Sequence, residues 1–110
     1  EALRAAWQRL IEWYLEESGH VRGVVHLVDA RRPPTAHDVA MMEYLAGMEV
    51  PALVVLTKMD KLKKSERKKA IGRALEAMAL DDDQMVPFSS HTGEGRDVLL
   101  AALDHLLGEP

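Results

Sequence analysis

Ala52-Leu53-Val54-Val55-Leu56-Thr57-Lys58-Met59-Asp60 opens as a continuous apolar run and ends in a polar tetrapeptide. A short run rich in branched residues suits a strand buried on both faces, and such strands belong to parallel sheets. A similar run, Gly23 to Asp29, precedes it, and a shorter one, Met85 to Phe88, follows. Between the first two, Pro33-Pro34 breaks the chain. Thr35, with Asp38 three residues on, makes a capping-box start, and Val39, Met42 and Ala46 give the next helix an inner face that Gly47 closes. Ser65 is placed to cap a further helix with Ile71, Ala74, Leu75 and Met78 inward, and Asp81-Asp82-Asp83 reads as a loop. Upstream, Leu3, Trp7, Leu10, Ile11 and Tyr14 form one helical stripe over residues 2–17, ended by Ser18-Gly19. Downstream, Leu99, Ala102, Leu103 and Leu106 mark a last helix with Gly108 as its C′ residue. The order α-β-α-β-α-β-α predicts an α/β fold, a three-layer arrangement of a parallel sheet with flanking helices and right-handed crossovers.

Composition bounds the rest. The chain has 110 residues, enough for one domain, and 47% are hydrophobic, enough for a core. No apolar run reaches the length of a membrane span and no basic-then-apolar leader opens the sequence, so the reading favours a cytoplasmic protein. The absence of cysteine rules out a disulfide framework and thiolate metal sites. No two of the five histidines fall at metal-ligand spacing, so no zinc is expected, and His26, inside a strand, is expected to be a satisfied core histidine.

In parallel α/β sheets ligands bind at the carboxyl ends of the strands. That rule places three polar stretches on one rim: Asp29, Thr57-Lys58-Met59-Asp60, and Phe88-Ser89-Ser90-His91. Guanine presents two adjacent N–H donors, at N1 and the exocyclic N2, and an acceptor at O6. One carboxylate accepts both donors as a charge-assisted pair, and Asp60 is placed to do so. Lys58 can lay its methylene stem along the base while its ammonium stays in water. Thr57 can hold the loop through its hydroxyl, and an N–H of the Ser89-Ser90-His91 turn can donate to O6. Adenine would set an amino group against that donor and leave Asp60 half satisfied. A solvated loop pair is the plainer account of Lys58 and Asp60, and an ordinary serine turn that of Ser89 and Ser90. Asp29 is expected to accept hydrogen bonds from the turn at Ala30–Arg32.

From Trp7 to Leu107 the sequence resembles the C-terminal half of the EngB (YsxC) family of bacterial GTP-binding proteins. The likeness is carried by the Trp7 and Tyr14-Leu15 helix, by Val28-Asp29-Ala30-Arg31-Arg32-Pro33-Pro34-Thr35 with Asp38 and Met41-Met42, by Val55-Leu56-Thr57-Lys58-Met59-Asp60-Lys61-Leu62, and by Phe88-Ser89-Ser90 with Gly93 and Gly95. Arg32 and His91 depart from the usual family pattern. The resemblance implies that residues 1–110 are part of a P-loop GTPase domain, lacking the phosphate loop, both switch regions and the Asp-x-x-Gly motif. It further implies guanine-nucleotide contacts (GTP or GDP) through Thr57, Lys58, Met59, Asp60, Phe88, Ser89, Ser90 and His91. Magnesium would be held in the parent protein by residues absent here. A role in large ribosomal subunit assembly and in cell division is implied as well. The chain alone is then expected to bind nucleotide weakly and to hydrolyse none, because phosphoryl transfer needs the missing phosphate and metal contacts. Its first strand would also lack a neighbour, which invites self-association at the open edge.

One feature suggests a different class of function. Residues 58–73 hold eight basic side chains against Asp60 and Glu66, a net +6, which leaves −10 for the rest of a chain whose total is −4. Such a split suits a polyanion-facing surface, and the alternative is an autonomous RNA-binding or protein-interaction module built on residues 61–73 without a nucleotide.

Overall fold

The computed structural model describes residues 23–107. Three strands form one parallel sheet in the order β1-β2-β3: β1 (Val24–Asp29), β2 (Ala52–Thr57) and β3 (Met85–Pro87). Three helices alternate with them: α1 (Ala36–Gly47), α2 (Lys64–Ala77) and α3 (Arg96–Leu107). Single 3₁₀ turns occupy Met59–Lys61 and Asp82–Gln84, the latter where the sequence suggested an irregular loop. The register pairs Val24 with Ala52 and Asp29 with Thr57, so β1 and β2 end level, and Leu56 lies opposite Pro87. The expected helix over residues 2–17, Gly108 and the side chain of Leu106 lie outside the described residues.

Because the strand order advances in one direction, right-handed crossovers put α1 and α2 on the same face of the sheet. The core is on that face. Val28, Val54, Leu56 and Met85 from the strands meet Met41, Met42 and Leu45 from α1, and Ala74 and Met78 from α2 and its end. Leu45, Val54 and Met59 are fully buried. The opposite face is covered by α3 over Leu53 and Val86, which are buried. In register with Leu53 and Val55, Val25 and Leu27 continue that face outward and are 40% and 65% exposed. This corrects the expectation that β1 is buried on both faces: α3 does not reach across to the outermost strand. Among the described residues β1 has a strand neighbour on one side only.

Local chemistry explains the boundaries, with two corrections. Thr35 caps α1 as expected, its hydroxyl accepting from the Asp38 N–H at 3.1 Å while Asp38 accepts from the Thr35 N–H at 2.8 Å. The same carboxylate reaches His26 Nε2 at 2.7 Å and so pins α1 to β1, which satisfies the strand histidine. Burial acts to raise the Asp38 pKa, but the Thr35 N–H, the His26 ring and the Thr35 hydroxyl together outweigh it and hold the carboxyl below its ordinary value. Ala46, expected on the inner face of α1, is exposed, and that face is Met41, Met42 and Leu45. Gly47 closes the helix as expected, and the left-handed residue comes two positions later. That position is Glu49, at φ 59°, where the Val50 N–H reaches back to the Leu45 carbonyl at 2.9 Å. Ser65 does not cap α2 either. The helix begins one residue earlier, and the Glu66 carboxylate accepts from the Lys63 N–H at 3.1 Å.

Candidate functional site

The carboxyl ends of β1, β2 and β3 bring Asp29, Thr57–Asp60 and Phe88–His91 to one rim, as the sequence predicts. Thr57 closes β2 and donates its hydroxyl to the Val28 carbonyl at 3.2 Å, tying the loop to the neighbouring strand. Lys58 then takes a left-handed conformation, φ 61° and ψ 34°. This turns the chain sharply enough that Met59 drops into the core and Asp60 returns to the surface. The Met59 N–H donates to the Phe88 carbonyl at 3.1 Å, so the two loops are joined through backbone before any side chain acts.

Asp60 and Ser89 complete the joint. Ser89 is fully buried, and its hydroxyl donates to Asp60 Oδ1 at 2.8 Å. This hydrogen bond, more than any other contact, holds the Asp60 carboxyl below its ordinary pKa. Asp60 is therefore an anion through the neutral range. A carboxylate has about four acceptor positions; Ser89 takes one on Oδ1, and the exposed Lys61 Nζ stands 4.0 Å from Oδ2. The Ser89 N–H is committed to the Glu94 carbonyl at 3.0 Å, and the Ser89 carbonyl accepts from Gly93 at 2.9 Å. Ser90 and His91 follow on the exposed side of the turn.

Asp29 plays the turn-holding part expected of it. Its carboxylate accepts from the Arg31 N–H at 2.9 Å and from both ends of the Arg31 guanidinium, at 3.1 and 2.8 Å. The Arg31 hydrogen bonds hold its carboxyl far below the usual carboxylate range. Lys58 Nζ stands 3.8 Å from Asp29, an exposed pair that orients the lysine stem over the rim but adds little stability.

Two contributors were not anticipated. Arg67 and Arg73 were counted with the lysines of a basic surface, yet both also bond within the fold, Arg67 half-buried and Arg73 still exposed. Arg67 donates to the Met59 carbonyl at 3.0 Å and to the Glu94 carboxylate, and Arg73 donates to the Ala30 carbonyl at 3.3 Å. The available signal was arginine within a lysine-rich run, since the planar guanidinium serves several acceptors at once. Lys61, Lys63, Lys64, Lys68 and Lys69 are exposed. Among the described residues no three His, Asp or Glu side chains converge as cation ligands, and no helix is long and apolar enough to cross a membrane.

Comparison with known proteins gives the arrangement a context. No family model matches the chain. It is 47% identical over 107 residues to a probable GTP-binding protein EngB of Gemmatimonas aurantiaca, covering 97% of this chain and 52% of that protein. It is 38% identical over 106 residues to the corresponding protein of Citrifermentans bemidjiense, with 96% and 50% covered, and 41% identical over 107 residues to that of an Exiguobacterium species, with 96% and 54% covered. The chain thus spans about half the length of the curated relatives it matches. Its fold resembles a crystal structure of a probable GTP-binding protein EngB, with a TM-score of 0.79 at 18% identity over 94% of this chain and 65% of that one. It also resembles translation elongation factor SelB from Methanococcus maripaludis, with a TM-score of 0.70 at 25% identity over 80% of this chain and 20% of that one.

Proposed function

We propose that this chain, similar over nearly its whole length to about half of EngB-type GTP-binding proteins, is the guanine-reading part of such a protein, with the phosphate-reading part supplied by residues outside 1–110. The observation that carries the reading is the Ser89–Asp60 hydrogen bond of 2.8 Å. It joins the two rim loops through Oδ1 of an anionic carboxylate whose Oδ2 faces the exposed ammonium of Lys61, 4.0 Å away, a contact a base must displace. Asp60 then accepts guanine N1–H and N2–H, the stem of Lys58 lies along the base, and an N–H of Ser90 or His91 donates to O6. Magnesium, if used, takes its ligands from outside the described residues, and the chain's own part is to bind and orient the base. In the full-length parent, competition binding should favour GDP over ADP by several orders of magnitude, as expected when a mismatched base leaves buried polar groups unpaired. Equal affinity for the two would overturn the reading.

By the same family resemblance, the protein acts in the cytoplasm in assembly of the large ribosomal subunit and in cell division. The exposed lysines of α2 and the loop before it support an RNA-facing surface, although the half-buried Arg67 is drawn from it by its internal hydrogen bonds. Charge reversal at Lys63, Lys64 and Lys68 in the parent should weaken association with the large subunit. It should also lower the slope of log affinity against log salt by about 2–3, one phosphate contact per lysine, while GDP affinity stays intact. An unchanged slope would make this surface a solvated helix face. If these lysines govern RNA binding but GDP does not bind at all, the autonomous RNA-binding module is the better account.

Residues 1–110 prepared alone should self-associate. Among the described residues the outer edge of β1 has no strand neighbour, and Val25 and Leu27 beside it are exposed. Sedimentation velocity should show dimers or larger species growing with concentration, and a clean monomer at high concentration would count against this.

A further inference from the structure

Arg67 and Glu94 lie outside both rim loops' polar motifs, yet they close a ring around them. Arg67 is the fourth residue of α2, and helical side chains lean toward the helix N-terminus, here toward the Met59–Lys61 turn. One guanidinium nitrogen donates to the Met59 carbonyl at 3.0 Å and the other to the Glu94 carboxylate. The Glu94 carbonyl accepts from the Ser89 N–H at 3.0 Å, and the Ser89 hydroxyl donates to Asp60 at 2.8 Å. The circuit runs from α2 to the loop after β2, across to the loop after β3, and back to α2. The Arg67 and Glu94 side chains are 29% and 34% exposed, so the link is shielded from full solvent competition.

Resting on the guanine reading above, we infer that Arg67 and Glu94 are positioning residues for base selectivity. They fix the distance between the Asp60 carboxylate and the N–H groups of the Ser89–His91 turn. Bidentate recognition needs that distance held to a fraction of an ångström, and the two loops belong to different strands, so something must brace them together. A guanidinium can serve a carbonyl and a carboxylate simultaneously through its fixed fork. An ammonium in the same place would hold one at the expense of the other.

The test compares GDP with IDP, whose base lacks the exocyclic N2 amine and so reports the second half of the Asp60 pair. In the full-length parent, Arg67→Lys and Glu94→Ala should each lower GDP affinity about tenfold, the size of one charge-assisted hydrogen bond. They should lower IDP affinity less, so the GDP-to-IDP ratio shrinks. Arg67→Met, which keeps neither bond, should shrink the ratio at least as far as Arg67→Lys, and if it fails to fold the other two variants carry the test. A merely structural contact would lower melting temperature and leave the ratio alone, so an unchanged ratio in Arg67→Lys and Glu94→Ala overturns the inference. If the parent itself shows no preference for GDP over IDP or ADP, the guanine reading fails and this inference with it. If the parent prefers GDP and the variants keep that preference, only the inference falls.

Discussion

Replacing Asp60 with asparagine in the full-length parent should convert a GDP-binding protein into one that prefers XDP. The substitution is nearly isosteric. The amide oxygen can still accept from the Ser89 hydroxyl that now lies 2.8 Å from Asp60 Oδ1, so the loop joint survives. What changes is the outer edge, where an amide N–H₂ donor replaces an acceptor and faces the N1–H and N2–H of guanine. One charge-assisted hydrogen bond is lost, the other becomes neutral and a donor is set against a donor, so GDP affinity should fall about 10³-fold. Xanthine carries a carbonyl where guanine carries its amine, and that carbonyl accepts from the new amide. Competition binding with GDP and XDP on both proteins measures the reversal. A D60N protein that still prefers GDP would remove Asp60 from the base site.

Gly95→Ala should be the most damaging single-methyl change in the described residues. Gly95 sits at φ +80°, and a Cβ built there would lie 2.1 Å from the Pro87 carbonyl oxygen, a backbone atom at the end of β3. The turn from Ser89 to Arg96 would have to lift away from the strand, and with it the Glu94 carbonyl and carboxylate that hold Ser89 and Arg67. The left-handed conformation and the clash together should cost about 3 kcal/mol, with a fall in melting temperature on the order of 10 °C. Gly93, two residues earlier, gives the internal control. Its φ of +84° is as unfavourable for alanine, but open space surrounds it. Gly93→Ala should therefore lose only about 1 kcal/mol. Urea denaturation of both variants decides, and equal losses would mean that the close approach at Pro87 is relieved at no cost.

The parts of the fold that follow from local chemistry were legible in the residues. The apolar runs at 24–29 and 52–56 become parallel strands, and Thr35 with Asp38 makes the capping box that opens α1. The rim followed from the sheet rule, because every polar motif stood directly after a strand. What could not be read depended on tertiary geometry. Nothing in the run Gly23 to Asp29 tells that α3 stops short of Val25 and Leu27. The left-handed turn falls on Glu49, a residue type that does not signal it, because the Val50 N–H returns to the Leu45 carbonyl where α1 closes on the core. Ser65 looked like a cap, but the cap position falls two residues earlier, at Lys63, where Glu66 reaches back to the Lys63 N–H. The basic stretch misled by charge counting alone. Arg67 and Arg73 share the sign of their lysine neighbours, and only the placement of the Met59 and Ala30 carbonyls shows that they are spoken for.

The central claim is that the rim of β1, β2 and β3 reads guanine through Asp60. It is tested most directly by a crystal structure of the full-length parent with GDP. The account requires both Asp60 carboxylate oxygens at about 2.7–2.9 Å from the base N1 and N2, with an N–H of Ser90 or His91 on O6 and the Ser89–Asp60 hydrogen bond retained. A base bound elsewhere, or bound at this rim with Asp60 turned to solvent, would contradict it.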